Sequence, residues 1–266
     1  MPILNGPIQF TGKMNDLVAY KMKNSDKVIL RRKPFIAKGA FKNEPQYAAM
    51  RRNSAEFAGC AHAGKMIRSA LPNIMQLADY NMTPALNRFC KAIQKQDAVH
   101  PHGQRSILFS QYKDALTSVA FTKQHLFDSV FKQRPKAQLL RTKAEMHVHF
   151  GELVPGFNFT QSWNKPYFRL VISLGAIEDM HFTEQGYKSQ YPMLPLPSTA
   201  VLGDWMMSGR KMPAHSMIIK LQSFTLLQEE AITLIGAVGI QMGQPGLLRE
   251  IEPVKYASTA RILVAG

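Results

Sequence analysis

The chain has 266 residues, of which 45% are hydrophobic and 19% are charged, a composition typical of a folded protein with one large or two small domains. Its two cysteines, Cys60 and Cys90, are too few for a disulfide framework and are interpreted as buried thiols of a reducing compartment. The N-terminal segment lacks the pattern of a secretory signal, and the most apolar stretch, 231–242, is shorter than the roughly 20 residues that span a bilayer. The sequence therefore predicts a cytoplasmic protein without membrane insertion.

The formal charge of +15 is concentrated in the first part of the chain. Residues 1–150 hold 24 Lys and Arg against 9 Asp and Glu, a difference of +15, whereas residues 151–266 hold 9 of each. This division predicts two parts with different partners. The basic part suits a polyanion such as nucleic acid, an acidic protein surface, or a complementary face on a neighbouring copy.

The first predicted element is a basic β-hairpin. Two β-rich runs, Leu17 to Lys23 and Lys27 to Lys33, flank the loop residues 24–26, whose Asn, Ser and Asp are typical of tight turns. A shorter strand precedes the hairpin, between Gly6 and Gly12. Because an isolated hairpin is marginal in water, we expect it to pack on the body of the chain or on another copy.

Helices are predicted next, after an extended connector over 34–45. A long helix is predicted from Gln46 to Leu71, where Gly59 and Gly64 weaken the pattern but allow a neighbour to approach closely. A second helix is expected to begin at Thr83, as N-cap before Pro84, and to end near residue 96. The zone from 100 to 135 gives mixed signals, with a possible helix in 105–121.

From residue 137 onward the pattern indicates β-strands separated by turns rich in Gly, Pro and Ser. The predicted strands are Glu145 to Phe150, Tyr167 to Leu174, Met217 to Phe224, Ala231 to Met242 and Ala257 to Val264. Short strands with such punctuation favour an antiparallel sandwich. The predicted fold is α+β, with a β-hairpin arm and linker at 1–44, a mainly helical segment at 45–135, and an antiparallel β-sandwich-like domain at 136–266.

The sequence carries no recognisable catalytic signature, and neither an enzyme nor a cofactor is predicted. His147 and His149 share one face of a predicted strand and could grip a metal ion, but no third ligand is near in sequence, so a solvated face is favoured. The loop pair His100 and His102 is a weaker candidate. Gly236 is interpreted as a strand glycine rather than part of a dinucleotide loop, because no helix follows it.

Basic side chains are the strongest candidates for function. Some of them are explained because the outer face of a hairpin must be polar and because Lys on an edge strand prevents aggregation. The excess of basic over acidic residues is larger than this explanation requires. The hairpin with interleaved aromatic rings is suited to lie along a phosphate backbone. The predicted polyanion-binding residues are Lys21, Lys23, Lys27, Arg31, Arg32, Lys33, Arg51 and Arg52.

The N-terminal motif resembles that of a known group of proteins. Gly6, then Gly12-Lys13, then Tyr20 are followed by Arg31-x-Lys33-Pro34 and a helix that opens at Pro45-Gln46. This pattern is similar to a group of uncharacterised proteins common in Bacteroidota genomes, which pair such a hairpin with a C-terminal β-domain. The resemblance covers mainly the first 60 residues and implies no activity, catalytic residue or cofactor.

The predicted function is that of a non-enzymatic structural or interaction protein that self-assembles or joins a larger particle. The alternative is a nucleic-acid-binding protein that uses the basic N-terminal half. A linker of about a dozen residues could reach roughly 35–40 Å, so residues 1–40 are expected to be exchanged between subunits as an added sheet edge. The apolar contacts of this oligomer interface are expected from Val18, Tyr20, Met22, Ile29 and Leu30.

Overall fold

The structure is a computed structural model that describes residues 3–4, 10–22, 26–32, 39–191, 196–222, 229–247 and 250–266. About 24% of the chain is helix and 39% is strand, which confirms the predicted α+β class. The chain divides into an N-terminal unit, residues 1–51, and a body, residues 52–266. The division predicted at 135/136 therefore lies inside the body and does not separate two compact units.

The N-terminal unit contains a four-stranded antiparallel sheet in the order β1-β4-β3-β2. Its strands are β1 (Ile3–Leu4), β2 (Gly12–Met14), β3 (Leu17–Lys21) and β4 (Val28–Arg32). The predicted hairpin is β3–β4, while residues 23–25 of its loop and 33–38 of the predicted connector lie outside the described residues. The rest of the connector is not extended, because it forms a short helix α1 (Ala40–Asn43) and a 3₁₀ turn (Pro45–Tyr47).

Five helices follow, and none in the described chain is long and apolar enough to cross a membrane. They are α2 (Ala48–Ala70), α3 (Pro72–Met75), α4 (Met82–Gln94), α5 (Lys113–Leu116) and α6 (Phe127–Val130). The two glycines of α2 do not interrupt it. A Cβ at Gly59 would lie 2.8 Å from the Tyr187 ring, and one at Gly64 would lie 2.8 Å from Asn87 Oδ1. Both glycines therefore permit the close approach that the sequence predicted.

Helix α4 begins slightly earlier than predicted. Its N-cap is Asn81, whose side-chain oxygen accepts a hydrogen bond from the Thr83 backbone N–H at 3.1 Å. The Asn side chain satisfies one of the free amides of the first turn, so Thr83 lies inside the helix. In the mixed zone only the single turns α5 and α6 are helical among the described residues, and most of that segment is irregular.

The strands of the body form a five-stranded sheet in the order β10-β7-β13-β14, with β11 also on β7, a three-stranded sheet β12-β6-β5, and a small β8-β9 hairpin. Their bounds are β5 (Lys136–Leu140), β6 (Glu145–Phe150), β7 (Tyr167–Glu178), β8 (His181–Thr183), β9 (Gly186–Lys188), β10 (Ser198–Leu202), β11 (Met206–Met207), β12 (His215–Lys220), β13 (Ile232–Pro245) and β14 (Ile251–Ala265). Each predicted strand overlaps an observed one, although of the predicted Met217 to Phe224 only residues 217–220 lie in β12, and residues 223–224 lie outside the described residues. Every strand pair among these elements is antiparallel.

The central strands β7 and β13 are buried on both faces. Alternate residues of β7, such as Leu170 and Ile172, enter one hydrophobic core that also holds Met146 and Val148 of the three-stranded sheet. The intervening Val171 enters a second core with α2 and α4. The body is therefore layered as helices, five-stranded sheet and three-stranded sheet, because side chains alternate between the two faces of a strand. The segment 45–135 and the β-strands share this second core.

Helix α2 and the sheet approach each other closely at a glycine of β7. A Cβ at Gly175 would lie 2.1 Å from the backbone oxygen of Ala70, at the end of α2. A Cβ on Gly239 of β13 would likewise lie 2.3 Å from Leu77. Real Cβ atoms do not come this close, so at Gly175 only glycine allows the end of α2 to lie on the sheet, whereas at Gly239 the Leu77 side chain would have to shift.

Replacing Gly175 should therefore destabilise the body. We expect Gly175→Ala to lower the free energy of unfolding by about 1–3 kcal/mol, because the added methyl group pushes against backbone that cannot move aside as a side chain can. Urea denaturation followed by circular dichroism measures the change. The matched control is Gly209→Ala, where a Cβ meets no atom within 4 Å. Equal stability of the two variants would contradict this account of the layer contact.

Candidate functional site

The charges of the basic hairpin are divided between the two faces of its sheet. Residues directly opposite each other on neighbouring strands share a face. Lys21 lies opposite Val28, and Arg32 lies opposite Leu17, on one face, whereas Arg31 lies opposite Val18 on the other. The hairpin part of the predicted polyanion-binding set therefore does not form a single basic face.

Several of these cations are held by neighbours within the N-terminal unit. Lys21 Nζ lies 2.8 Å from Asp26, and the Arg31 guanidinium lies 5.6 Å from the centre of the Tyr20 ring. Arg51 has a structural contact, since its Nη1 donates to the backbone oxygens of Phe41 at 2.8 Å and Glu44 at 3.0 Å. Arg51 thus fastens the end of α1 and is less available to a partner than the sequence suggested.

The remaining members of the predicted set are spread out. Lys27 is exposed before β4, whereas Lys23 and Lys33 lie outside the described residues. In the body, the stem of Arg52 packs on Gly103, where a Cβ would lie 2.8 Å from Arg52 Cγ. The N-terminal unit as a whole holds 10 Lys and Arg against 3 Asp and Glu, a difference of +7, so its positive charge is high but diffuse.

The predicted apolar interface is also divided. Val18, Tyr20 and Ile29 share one face, because Tyr20 lies opposite Ile29, but Leu30 lies opposite Ala19 on the other face. Ile29 is buried, and Met22, which follows β3, is 49% exposed. These side chains therefore do not form one exposed apolar face. The register of the two strands sets this arrangement, and hydrophobicity alone does not reveal it.

Strand β2 is an exposed edge strand of the sheet in the N-terminal unit. All three of its residues are exposed, and the Met14 side chain is 53% exposed. Strand β2 pairs with β3 through Met14–Leu17 and Lys13–Val18, across the two-residue turn Asn15–Asp16. In a hairpin closed this way the flanking pair is hydrogen bonded, so the N–H and C=O of Lys13 point away from β3. Among the described residues no strand pairs with that outer side.

In the body, ionisable side chains converge on a buried carboxylate. Glu56 of α2 is fully buried, and Arg105 grips it with two hydrogen bonds of 2.7 Å. The backbone N–H of Gly103 donates to the same carboxylate at 2.9 Å, and Lys91 of α4 also bonds it. We call these four residues the Glu56 cluster. Sequence analysis missed it, because its members are dispersed along the chain and each resembles an ordinary surface charge.

The environment of this cluster fixes the protonation of its groups. Burial alone would raise the pKa of the Glu56 carboxyl, but hydrogen bonds from Arg105, Lys91 and Gly103 together outweigh it and lower the pKa to about 2. Burial raises the pKa of the nearby Cys60 thiol to about 11 and also raises the pKa of Cys90. At neutral pH the Glu56 carboxylate is therefore ionised and both thiols are protonated. A carboxylate that already accepts hydrogen bonds from Arg105, Lys91 and Gly103 suits a structural role better than the role of a base, and protonated thiols are poor nucleophiles.

The predicted histidine pairs lie at the surface of the body. Val148 is buried, as predicted, so His147 and His149 lie together on the outer face of the three-stranded sheet. His149 Nδ1 lies 3.0 Å from Ser216 Oγ, while His147 Nε2 lies 3.4 Å from Glu145. Within the described ranges no group of three or more His, Cys, Asp or Glu side chains could hold a metal ion.

The loop histidines bind side chains of the body instead of each other. His100 Nδ1 lies 2.7 Å from an oxygen of Asp97, and His102 Nε2 lies 3.0 Å from Asn53 Oδ1. Asp97 also accepts hydrogen bonds from the backbone N–H groups of Val99 and His100. This arrangement ties the loop together.

Comparison of the chain with protein-family models, with curated proteins and with solved structures found no match. The resemblance to the Bacteroidota group stays a hypothesis that rests on the motif residues. Of these, Gly12 and Lys13 lie in β2 and Tyr20 lies in β3, whereas Gly6 lies outside the described residues.

Removing the charge of Glu56 should destabilise the body in a pH-dependent manner. We expect Glu56→Gln to lower the free energy of unfolding at pH 7 by about 3–5 kcal/mol, because Arg105 and Lys91 lose their counter-ion. The folded-state pKa is lowered, so the stabilisation is present above the ordinary value of 4.5 and is lost as the pH falls towards about 2.

Denaturant unfolding between pH 7 and pH 2 measures this effect, with the exposed Glu184→Gln as the control. The difference between Glu56→Gln and the original chain should shrink as the pH falls. A difference that stays constant with pH, or that is no larger than that of Glu184→Gln, would exclude the structural role of the carboxylate charge.

Proposed function

We propose that this chain is a non-enzymatic assembly subunit of the cytoplasm, which associates with further copies of itself through the N-terminal unit. The observation that carries the proposal is the open edge of β2. Strand β2 is exposed along its whole length, and the outward backbone groups of Lys13 are available to a strand from another copy. An edge of this kind is a template for strand addition, in which main-chain hydrogen bonds supply the affinity.

The separate packing of the N-terminal unit supports this role. The unit is compact in itself, and its sheet is held together by the strand pairs β1–β4, β4–β3 and β3–β2. The exposed Met14 beside the edge adds apolar area that a neighbouring copy would cover.

The chemistry of the body is consistent with a non-enzymatic subunit. Its most buried carboxylate, Glu56, is saturated by donors, and the two thiols near it are held protonated. Asp128 is likewise bound by Arg134 at 2.7 Å and by Arg261 at 2.5 Å. Charges paired in this way stabilise the fold and are poorly placed to transfer protons to a substrate.

Nucleic-acid binding by the basic N-terminal half is the alternative. The difference of +7 within residues 1–51 favours it, whereas the division of Lys21 and Arg31 between opposite faces disfavours a single phosphate-binding surface. The salt dependence of binding distinguishes the two functions. Binding to phosphates weakens steeply between about 50 and 200 mM salt, whereas strand addition depends on backbone hydrogen bonds and is much less sensitive.

Replacing Lys13 by proline should reduce the mass of the assembly. Lys13→Pro removes the outward N–H of β2 without breaking a hydrogen bond of the β2–β3 hairpin. We expect the original chain to be oligomeric at tens of micromolar and Lys13→Pro to shift mainly to the monomer, as measured by light scattering after size-exclusion chromatography.

Lys13→Ala is the matched control, because it removes the charge but keeps the N–H. It should retain the full mass, and both variants should keep the circular dichroism spectrum of the original chain. The proposal fails if the original chain is a monomer under these conditions, or if Lys13→Pro keeps the mass of the oligomer. Loss of the oligomer in Lys13→Ala would identify the charge, and not the backbone edge, as the cause.

A further inference from the structure

The body contains a cavity of about 510 Å³ between the second half of α2 and the end of β7. Helix α2 lines it with His62, Lys65, Met66 and Ser69, which recur at helical spacing on one face. Sites for small ligands commonly have volumes of roughly 300–1,000 Å³. The cavity shares no lining residue with the Glu56 cluster or with the β2 edge, so it is independent of the proposed assembly role.

The floor of the cavity carries a buried carboxylate. Glu178, the last residue of β7, is 1% exposed and lines the cavity. Its Oε2 accepts one hydrogen bond, from the backbone N–H of Gln190 at 3.1 Å. Among the described residues no Lys, Arg or His nitrogen forms an ion pair with it, in contrast to the saturated Glu56. A buried carboxylate with so few donors is costly, and a cation inside the cavity would relieve that cost.

The rim of the cavity has the opposite character. Lys65 is exposed there, and no carboxylate pairs with it in the described part of the chain. His62 Nδ1 lies 3.0 Å from the backbone oxygen of Tyr187. Because a carbonyl can only accept, Nδ1 carries the hydrogen in this contact. The rim therefore offers one cation and one imidazole ring.

The other residues that line the cavity are mainly apolar. They include Met66, Met180 and Leu196, together with the ring of Tyr191. Methionine adapts to ligands of varied shape, and an aromatic ring adds a large contact area. The cavity thus combines a negative floor, a positive rim and an apolar lining.

We infer that this cavity binds a small zwitterion with an apolar side chain, of the chemical class of an α-amino acid. The ammonium group of such a ligand pairs with Glu178, its carboxylate pairs with Lys65, and its side chain packs on Met66, Met180 and Tyr191. Each charged group of the cavity then has a partner of opposite sign, which neither a purely apolar nor a purely anionic ligand supplies.

Other occupants fit the lining less well. A divalent cation prefers several oxygen ligands, and Glu178 is the only carboxylate among the described residues that line the cavity. An anion would be repelled by Glu178, with which no cation of the described residues forms an ion pair. A neutral apolar molecule would bury Glu178 further without giving it a counter-ion.

Calorimetric titration of the full chain with three probes tests the inference. L-phenylalanine carries both charges, phenethylamine lacks the carboxylate, and N-acetyl-L-phenylalanine lacks the ammonium group. We expect L-phenylalanine to bind most tightly, phenethylamine to bind about tenfold more weakly, and the N-acetyl compound to bind at least a hundredfold more weakly, because it leaves Glu178 unpaired.

Two variants test which side chain of the cavity pairs with which charged group of the ligand. Glu178→Gln should weaken the binding of L-phenylalanine and of phenethylamine at least tenfold each. Lys65→Met should weaken the binding of L-phenylalanine about tenfold, because the carboxylate of the amino acid loses its partner. The binding of phenethylamine should be unchanged, because this probe has no carboxylate. The exposed Glu152→Gln is the control and should bind all three probes as the original chain does. A uniform effect of Lys65→Met on both probes would overturn the assignment.

A third variant keeps the test decisive if Glu178→Gln fails to fold. Ser69 is exposed on α2 at the rim, so Ser69→Phe should leave the fold intact and block L-phenylalanine binding. Unchanged binding in folded Ser69→Phe would overturn the inference. So would the absence of any heat signal with the three probes up to about 10 mM, or equal affinity for L-phenylalanine and its N-acetyl form.

Discussion

The antiparallel pair β7–β13 is the constraint on which the body depends. Twelve residue pairs join the two strands, from Ile232–Glu178 to Gly243–Tyr167, and nearly all of these residues are buried. Because both faces of the pair must be covered, the helices pack on one face and the three-stranded sheet packs on the other. Gly175 sets the distance between the end of α2 and the sheet, so even a single methyl group matters there.

This arrangement determines where the chain can interact with other molecules. The broad faces of the central pair are already covered, so accessible chemistry lies at strand ends and at open edges. Glu178 lies where the pairing of β7 with β13 ends, and it lines a ligand-sized cavity of the body. In the N-terminal unit, β2 offers an exposed sheet edge. The two proposals use these different places, so each stands without the other.

Local patterns predicted much of the fold and little of the site. Strand β6 has the bounds that its alternation predicts, because a strand with one buried face repeats every two residues. The Glu56 cluster escaped prediction because Arg105 is 49 residues away along the chain and Lys91 is 35 residues away. The division of the hairpin charges depends on strand register, which composition does not encode. The cavity likewise joins α2 to β7 across more than a hundred residues of sequence.

Hydrogen exchange of the β2 backbone amides tests the central claim most directly, because it observes the proposed contact itself. The full chain is exchanged at several concentrations from about 1 to 100 µM, and deuterium uptake is followed at residues 12–14. Strand addition predicts that the Lys13 amide becomes protected as concentration rises, while the buried β7 and β13 amides remain protected throughout. Fast exchange of the Lys13 amide at every concentration, in a chain that is nonetheless oligomeric, would contradict assembly through this edge.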